Sequence, residues 1–352
     1  MRWSAKLSLG VWILLVGIFA FWGVVEFFHE GWFYPYIHFV FYLLPCGVLV
    51  LLGIVVLRNR IFGGLLIVLC SLGFSVWRAV RLAQLHYPVP LSLWIVGFVL
   101  ALPGVGFIID GIKNRDFTFN KRWLFAILVV PMVIIVGIGV PTLVHHLGRV
   151  ELEDFGERVV MVDGVEYVLA GDGPGWFYSN KHPIVFGGKS YTGLSWNEIA
   201  LFGMSPIGFD GKRYGPWYDG TEESIYYATQ EDFDRYNMFR YLNYDGTALT
   251  DSVQDYWRLP TVEEYVKLMC RRGESAGGYV DSLGIPHYKI APDKDAPLWA
   301  CDEEVIYYWT STSADSKYAY DISYSGRVRR VLKTSVQDYR GFRAVRTVPL
   351  NR

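Results

Sequence analysis

The chain has 352 residues, of which 52% are hydrophobic and only 19% are charged, and its formal net charge is −1. Residues 1–145 carry ten Lys and Arg against four Asp and Glu, whereas residues 146–352 carry twenty-three against thirty. This asymmetry excludes a single uniform soluble domain and predicts two parts that occupy different physical environments.

Five apolar stretches dominate the first part, each of about 20 residues, the length of a helix that crosses the hydrocarbon core of a bilayer. Charged residues lie at the ends of these stretches, and a transporter would need polar groups near their centres. We therefore predict an α-helical transmembrane bundle over residues 1–145 that anchors the chain. The predicted spans are Leu7–Phe28, His38–Leu57, Ile61–Val80, Leu91–Ile112 and Trp123–Val144.

The distribution of Lys and Arg predicts the orientation of this bundle. With the N-terminus in the cytoplasm, eight of the ten basic residues lie on the inner side, and only Arg78 and Arg81 lie on the outer side. Cytoplasmic loops are the ones enriched in Lys and Arg. We predict a multi-pass protein of the cytoplasmic (inner) membrane whose C-terminal half is periplasmic or extracellular. The glycines Gly63–Gly64 and Gly104–Gly106 favour close contacts between helices.

The outer half begins with a polar, acidic connector at residues 146–156. Asp163–Gly164, between two apolar runs, predicts a β-hairpin because both turn positions need a positive φ. Ser195 and Glu198 have the spacing of a capping box and predict the start of a helix. A longer helix is predicted from about Thr221 to Leu242. We predict no cofactor; the alternative is a structural calcium ion bound by carboxylates of the Asp-Gly turns in this region.

The stretch YWRLPTVEEYVKLM, residues 256–269, contains a second capping box, formed by Thr261 and Glu264. Pro260 keeps the preceding residue extended, so we predict a strand followed by a helix that continues through CRR to residue 272. Arg258 lies in an otherwise apolar strand and is expected to need a buried acidic or carbonyl partner. Its replacement by alanine would then cost roughly 3–5 kcal/mol.

The C-terminal segment predicts four strands, at residues 307–313, 318–324, 327–333 and 339–346. Their polar and apolar residues alternate, as on a sheet with one face in water. Two cysteines of the outer half, Cys270 and Cys301, would be allowed to form a disulfide there. The sequence does not show whether their Cα atoms come close enough, so paired and free thiols both stay open.

Four motifs in a fixed order carry a family resemblance: YTGLSWNEIALF, YWRLPTVEEYVKLM, YYWTSTS and YRGFRAVR. Residues 157–347 resemble the formylglycine-generating-enzyme-like (sulfatase-modifying-factor) domains, which are relatives of C-type lectins, and are most similar to their non-catalytic bacterial branch. The resemblance implies an α+β, C-type-lectin-like domain over residues 157–352. It also implies a framework role for Trp257, Arg258, Pro260, Glu264, Gly341, Phe342 and Arg343.

The chain departs from this family at the positions that carry its activities. The copper-binding cysteine pair of the oxidases is absent, because no cysteine lies between Trp309 and Arg346. The Glu-Pro-Asn, Gln-Pro-Asp and Trp-Asn-Asp tripeptides of calcium-dependent sugar lectins are absent too. These departures weaken the case for both activities, and we predict no catalytic residue and no catalytic or sugar-binding metal site.

We predict a membrane-tethered, non-enzymatic recognition domain of the cell envelope that binds a protein or glycan and no nucleic acid. The alternatives are a structural subunit of an envelope machine and a residual enzyme of the formylglycine-generating type. Aromatic and charged side chains favoured at binding hot spots cluster in the C-terminal strands, although they could equally be ordinary water-facing residues, whose replacement would cost no more than about 1 kcal/mol. The candidate binding residues are Trp309, Tyr318, Tyr320, Tyr324, Arg327, Arg329, Arg330, Asp338 and Tyr339.

Overall fold

A computed structural model describes residues 3–31, 37–84, 89–114, 121–337 and 339–348. The chain divides into two compact units. Among the described residues, those up to Val144 form the first unit and those from His145 onward form the second.

Five long helices form the first unit. All five are long and apolar enough to cross a membrane, which confirms the prediction of a multi-pass membrane protein. The first continues into a π-helical turn at Phe27–Gly31. The helices are α1 (Trp3–Glu26), α2 (His38–Arg58), α3 (Arg60–Gln84), α4 (Leu91–Lys113) and α5 (Lys121–Leu147).

Small residues bring α3 and α4 into backbone contact, as the glycine pairs predicted. A Cβ atom added to Gly64 would lie 2.6 Å from the carbonyl oxygen of Gly104, and the reciprocal distance is 2.7 Å. An ion pair joins the same two helices where α3 begins and α4 ends. The fully buried carboxylate of Asp110 pairs with Arg60 and accepts a hydrogen bond of 2.7 Å from the side-chain amide of Asn114.

The second unit is a mixed α/β domain. Its helices are short: α6 (Trp196–Ala200), α7 (Gln230–Tyr236) and α8 (Val262–Leu268). Its strands are β1 (Arg158–Val162), β2 (Val165–Leu169), β3 (Trp176–Phe177), β4 (Ile184–Phe186), β5 (Lys189–Tyr191), β6 (Cys270–Arg271), β7 (Glu274–Ser275), β8 (Tyr279–Val280), β9 (Pro286–His287), β10 (Tyr307–Ser313), β11 (Tyr318–Ser323), β12 (Val328–Leu332), β13 (Arg340–Arg343) and β14 (Val345–Val348).

Two sheets organise this domain. One has the order β1-β2-β14 and the other has the order β12-β11-β10-β13-β3, in which β10 and β13 run parallel. The four predicted C-terminal strands are observed, but the last one, predicted as a single strand over 339–346, divides at Ala344. The backbone of Ala344 bonds to Ala170 and Gly175 instead of continuing the ladder. The chain therefore crosses from one sheet to the other at this residue.

Local signals placed several turns and helix starts correctly. Asp163 and Gly164 have φ values of 52° and 78° and connect β1 to β2 with the predicted antiparallel pairing. Both predicted capping boxes are present, at Ser195–Glu198 before α6 and at Thr261–Glu264 before α8. These features depend on residues close in sequence, and this explains why the sequence alone was enough to locate them.

The predicted helix from Thr221 to Leu242 is wrong. This segment contains a 3-10 turn at Glu222–Ser224, helix α7, and a second 3-10 turn at Met238–Tyr241. A third capping box, formed by Thr229 and Asp232, starts α7 in the middle of the predicted helix. A capping residue has an extended backbone, so the residues before Thr229 cannot continue into the same helix.

The predicted helix that ends at residue 272 is also too long. Helix α8 stops at Leu268, and Cys270 already belongs to β6, where it pairs with Ser275 in β7. The turn between these strands contains Arg272 and Gly273, with φ values of 53° and 76°. A positive φ is incompatible with a right-handed helix, so Arg272 cannot be helical. The helix already ends before CRR because the ψ of Met269 is 139°, outside the helical region.

Aromatic side chains fill the core of the domain around a buried arginine. Arg343 is fully buried and its guanidinium carbon lies 3.6 Å from the ring centroid of Trp176. It donates hydrogen bonds to the carbonyl oxygens of Ala170 at 2.8 Å and Leu298 at 3.1 Å. Burial lowers the pKa of Arg343 to about 10. A Cβ atom on Gly341 would lie 1.9 Å from the carbonyl oxygen of Phe177, so this position requires glycine.

Arg258 does not lie in the buried network that was predicted for it. Both of its terminal nitrogens donate to Glu264 at 2.6 Å, but its side chain is 42% exposed. A partly exposed ion pair contributes at most about 1 kcal/mol. The expected cost of 3–5 kcal/mol for Arg258→Ala is therefore wrong. Burial opposes ionisation of Glu264, but hydrogen bonds from Arg258 and Thr261 outweigh it and lower the pKa of Glu264.

The first residues of the connector are fixed to the domain. Arg149 donates to the buried carboxylate of Asp293 at 2.7 and 3.2 Å, and His145 lies 2.6 Å from the same carboxylate. The amide of Val150 donates to Asp295 at 2.6 Å. Burial opposes ionisation of Asp293, but Arg149 outweighs it and lowers the pKa of this carboxyl group. The connector therefore begins as an ordered segment of the second unit.

Candidate functional site

A cavity of about 410 Å³ lies where the start of α8, the β8–β9 hairpin and the strands β10, β11 and β12 meet. This volume falls within the range of small-molecule sites, about 300–1,000 Å³. The residues that line the cavity are Thr261, Val262, Glu263, Val280, Gly284, Thr312, Tyr320 and Val328.

Helix α8 forms one wall of the cavity, and two hydrogen bonds hold its first residues against β10. The amide of Ser311 donates to the carbonyl of Pro260 at 2.9 Å, and the amide of Val262 donates to the hydroxyl of Thr312 at 3.4 Å. The capping box at Thr261 fixes where the helix begins. The RLPT motif therefore positions a wall of the cavity as well as the start of a helix.

The hairpin of β8 and β9 forms the opposite wall. Asp281 accepts hydrogen bonds of 2.9 Å from the amides of Leu283 and Ile285, and its carboxylate lies 2.8 Å from the imidazole of His287. The hydrogen bond to His287 is the largest of the causes that lower the pKa of Asp281. At the base of the hairpin, the hydroxyl of Tyr288 donates to the carbonyl of Gly326 at 3.0 Å. The base of the hairpin is thereby fastened to the turn between β11 and β12.

The sheet contributes Tyr320 to the cavity. Tyr320 lies opposite Arg330 in the β11–β12 ladder, and its carbonyl accepts a hydrogen bond of 3.0 Å from the hydroxyl of Thr310. Arg330 forms an ion pair with Asp315. The cavity thus combines three valines and an aromatic ring with threonine and tyrosine hydroxyls and the carboxylate of Glu263. Such a lining can hold an apolar group and orient its polar substituents, and the carboxylate disfavours an anion.

The structure separates the predicted binding residues into several environments. Tyr320 lines the cavity. Trp309 is fully buried, and its indole nitrogen donates to the carbonyl of Leu194 at 3.0 Å. The prediction that Trp309 belongs to a binding surface is therefore wrong. Arg340, a buried residue on the neighbouring strand β13, packs against it with its guanidinium carbon 4.5 Å from the centroid of the ring.

Arg329 belongs to an ion-pair network with a buried carboxylate. It donates to both oxygens of the fully buried Asp321, at 2.9 and 2.7 Å. The buried Arg340 donates to the same carboxylate at 3.0 Å. The guanidinium carbon of Arg329 also lies 3.3 Å from the ring centroid of Tyr307. Its side chain is only 28% exposed, so the expectation that Arg329 is an ordinary water-facing residue is wrong.

Sequence reasoning missed Asp321 and Arg340 as members of this network. A signal for the first was present, because Asp321 and Arg329 occupy facing positions of neighbouring strands, and opposite charges at such positions attract. Arg340 lies on β13, which pairs with β10 in parallel. This third partner could not be inferred without the order of the strands in the sheet.

Three other predicted residues do lie at the surface. Tyr318 is 38% exposed, and Arg330 lies 5.4 Å from its ring centroid. Arg327 is exposed, and its amide donates to the hydroxyl of Ser323 at 3.1 Å. These residues border the sheet without lining the cavity.

Of the three remaining predicted residues, two are half-buried and one lies outside the described part of the chain. Tyr324 is half-buried and lies 5.4 Å from the guanidinium carbon of Arg149. Tyr339 is half-buried, and its carbonyl accepts hydrogen bonds from the amides of Ile306 and Tyr307 at 2.9 and 3.1 Å. Asp338 lies outside the described residues.

Cys270 and Cys301 are free, buried thiols, and the disulfide considered for them is not formed. The sulfur of Cys270 lies 3.3 Å from the carbonyl oxygens of Asp295 and Ala296, so it is directed toward backbone acceptors. Burial raises the pKa of each thiol to about 12. The reactive thiolate form is therefore scarce at neutral pH.

The carboxylates of two Asp-Gly turns have partners: Asp210 pairs with Lys189 at 2.6 Å, and Asp219 bonds within its own loop. Asp219 accepts hydrogen bonds from the amide and hydroxyl of Thr221, at 3.0 and 2.7 Å, and Gly211, Gly220 and Gly246 all have positive φ values. Within the described part of the chain, no three His, Cys, Asp or Glu side chains come together as a metal site.

Comparison of the chain with protein-family models, with curated proteins and with solved structures finds no match.

Proposed function

We propose that the second unit is a non-enzymatic recognition domain, tethered to the cytoplasmic membrane and displayed outside it, with the C-type-lectin-like fold that its motifs resemble. The observation that supports this function is the open cavity beside Tyr320, which is lined by three separate segments of the chain. Concave, largely apolar sites with a few polar groups are the usual form of ligand-binding sites. The hydrogen bonds that fix α8 and the β8–β9 hairpin keep this cavity open without a ligand.

The lining favours one side chain or one sugar unit of a larger protein or glycan. The valines and the ring of Tyr320 would contact its apolar face, and the hydroxyls of Thr261 and Thr312 would bond to its polar groups. Glu263 would favour a neutral or cationic group over an anionic one. The cavity volume, near the lower end of the range for small-molecule sites, agrees with a ligand group of this size.

The cysteines support a binding role rather than an oxidase role. Catalytic thiols are partly exposed and have a lowered pKa, whereas Cys270 and Cys301 are buried and have pKa values raised to about 12. The cavity lining contains neither of them.

Filling the cavity should abolish binding of small probes. We expect at least one member of a panel of monosaccharides and N-acetyl amino-acid amides to bind the full chain in phosphatidylcholine nanodiscs, measured by saturation-transfer NMR. Val328→Trp would occupy the space beside Tyr320 and should weaken that binding by about tenfold or more, as expected when the central contacts of a binding site are lost.

Arg327→Ala is the matched control, because Arg327 is an exposed neighbour outside the cavity. This variant should bind the same probe as the wild type. Binding that survives Val328→Trp in a folded protein would contradict a site in this cavity, and so would a panel without any binder.

The proposed orientation predicts where reporters are active. The concentration of Lys and Arg on one side of five spans supports an N-terminus inside and residues 146–352 outside. A reporter enzyme that is active only outside the cytoplasm should be active when fused after Gly148 and inactive when fused after Lys113. Activity after Lys113 would reverse the proposed orientation.

A further inference from the structure

An exposed aromatic group lies on the segment that connects α6 to α7. Trp217 is 69% exposed, Tyr218 is 40% exposed and Tyr214 is 37% exposed. Tyr214 and Tyr218 lie side by side with ring centroids 4.6 Å apart, while Trp217 meets the half-buried Tyr226 edge to face at 5.7 Å. We name residues 213–228 the aromatic–acidic loop.

The base of the aromatic–acidic loop is held by a buried side chain of α6. The amide nitrogen of Asn197, which is fully buried, donates to the carbonyls of Arg213 at 3.1 Å and Tyr226 at 2.7 Å. Its amide oxygen accepts from the backbone of Ala228 at 2.9 Å. The backbone amide of Tyr226 also donates to the carbonyl of Tyr214 at 2.9 Å. Both ends of the loop are therefore fixed to the core.

The tip of the loop is held by its own polar side chains. In addition to the two bonds from Thr221 to Asp219, the hydroxyl of Ser224 accepts from the amide of Asp219 at 3.1 Å and donates to the carbonyl of Thr221 at 2.9 Å. Gly215, with a φ of 95°, would place a Cβ atom 2.5 Å from the Cβ of Tyr226. The backbone therefore fixes the exposed position of Trp217, so a ligand would meet a preorganised surface.

The charge around these rings is negative. Glu222 and Glu223 are exposed and have no ion-pair partner among the residues described. Hydrogen bonds from Ser224 and Thr221 lower the pKa of Asp219 to about 2, so it is ionised at neutral pH. Basic residues near the loop have partners of their own: Arg213 pairs with Glu198 at 3.4 Å, and the buried Lys212 donates to the carbonyl of Met204 at 3.1 Å. At the C-terminal end of the loop, Lys333 donates to the carbonyl of Ala228 at 2.6 Å, and Lys317 lies 5.8 Å from the ring centroid of Tyr227.

We propose that the aromatic–acidic loop binds a cationic peptide segment of a partner protein, with one Lys or Arg side chain over Trp217 and others paired with Glu222 and Glu223. Aromatic faces attract Lys and Arg cations, and the unpaired carboxylates supply the complementary charge. The same carboxylates would repel an anionic bilayer surface, which disfavours insertion of Trp217 into a membrane. None of the loop's residues lines the cavity beside Tyr320, so this inference does not depend on the function proposed for that cavity.

A labelled basic peptide tests the inference on the full chain. We expect a fluorescein-labelled peptide of alternating Arg and Gly to bind the protein in phosphatidylcholine nanodiscs, as measured by fluorescence anisotropy after subtraction of empty nanodiscs. Binding should weaken as the salt concentration rises from about 50 to about 300 mM, because exposed charges are screened. A peptide of alternating Glu and Gly should not bind.

Two variants separate the aromatic contribution from the charge contribution. Trp217→Ala should weaken binding by about tenfold, since exposed tryptophans often dominate an interface. The double variant Glu222→Gln and Glu223→Gln keeps the size of both side chains and should weaken binding several-fold and reduce its salt dependence. Tyr279→Ala removes a 53% exposed aromatic ring from the β8–β9 hairpin and should bind as the wild type does.

Thermal melting checks that each variant is folded. If Trp217→Ala does not fold, peptide binding by the double variant Glu222→Gln and Glu223→Gln tests the inference. The inference is overturned if both loop variants bind the peptide as the wild type does. It is also overturned if the peptide fails to bind while neutral oligosaccharides such as chitohexaose bind in a Trp217-dependent manner, because the loop would then be a carbohydrate site.

Discussion

Asp321→Ala is expected to destabilise the second unit by roughly 3–5 kcal/mol, the usual cost of removing one partner of a buried ion pair. The carboxylate is fully buried and accepts hydrogen bonds from Arg329 and from Arg340, which is 2% exposed. Without this carboxylate, the guanidinium groups of Arg329 and Arg340 keep their positive charges, because arginine does not lose its proton in proteins. Since domains of this size are stable by about 5–15 kcal/mol, the variant should unfold at a clearly lower temperature.

Tryptophan fluorescence during thermal and urea unfolding would measure this loss, because Trp309 lies next to Arg340 in the core. Arg258→Ala is the control: it also breaks a two-bond pair with a carboxylate, but the arginine is 42% exposed, so its cost should be no more than about 1 kcal/mol. If Asp321→Ala unfolds at the same temperature as Arg258→Ala, the network does not stabilise the domain.

Lys294→Met is expected to stabilise the second unit at neutral pH. Lys294 is only 4% exposed, and its ammonium group donates to the carbonyl oxygen of Glu303. Burial, with the nearby Arg149 as a smaller cause, lowers the pKa of Lys294 to about 7, whereas an unfolded chain has a lysine pKa of about 10.4. Methionine has a similar length and no charge, so it should fill the same space without the cost of burying an ammonium group.

The sign of the pH dependence follows from proton linkage. Between pH about 7 and about 10.4 the unfolded chain binds more protons at Lys294 than the folded chain does, so this group costs stability as the pH falls through that range. The variant should gain on the order of 3 kcal/mol over the wild type near pH 7, and the gain should vanish near pH 10. Cys270 and Cys301 act in the opposite direction, because their raised pKa values cost stability at alkaline pH.

Because both proteins contain these thiols, the difference between their unfolding free energies isolates Lys294. Urea unfolding at pH 6, 7, 8, 9 and about 10 would measure it across the range of proton linkage. Lys289→Met, at an exposed position, should change little at any pH. A Lys294→Met protein that is less stable at every pH would contradict the expectation and would mean that the bond to Glu303 outweighs the cost of burial.

Sequence patterns alone determined the features of this protein that depend on neighbours along the chain. The five spans follow from the length and apolar composition of the first unit. The helix starts at Ser195 and Thr261 follow from side chains that bond within three residues of each other, and the hairpin at Asp163–Gly164 follows from two neighbouring residues that adopt a positive φ. Backbone geometry and local hydrogen bonds are encoded within such short windows.

The exposure and partners of the charged residues were decided only by the tertiary structure. Arg258 and Arg329 both lie in strand-like sequences. The sequence predicted a buried partner for Arg258 and a surface position for Arg329, either in a binding site or as an ordinary water-facing residue. The fold gives Arg258 the greater exposure and pairs Arg329 with a carboxylate that the sheet covers. Burial depends on which distant segments pack over a strand, and strand order supplies this information.

The candidate site, too, was decided only by the tertiary structure. The cavity unites the start of α8, a hairpin about twenty residues later and three strands near the C-terminus, and of its lining residues only Tyr320 had been predicted as a binding residue. Each segment has an ordinary local structure, and none of them forms a concave surface by itself. The cavity exists because the hydrogen bonds from Ser311 to Pro260 and from Tyr288 to Gly326 bring these segments together across long stretches of the chain.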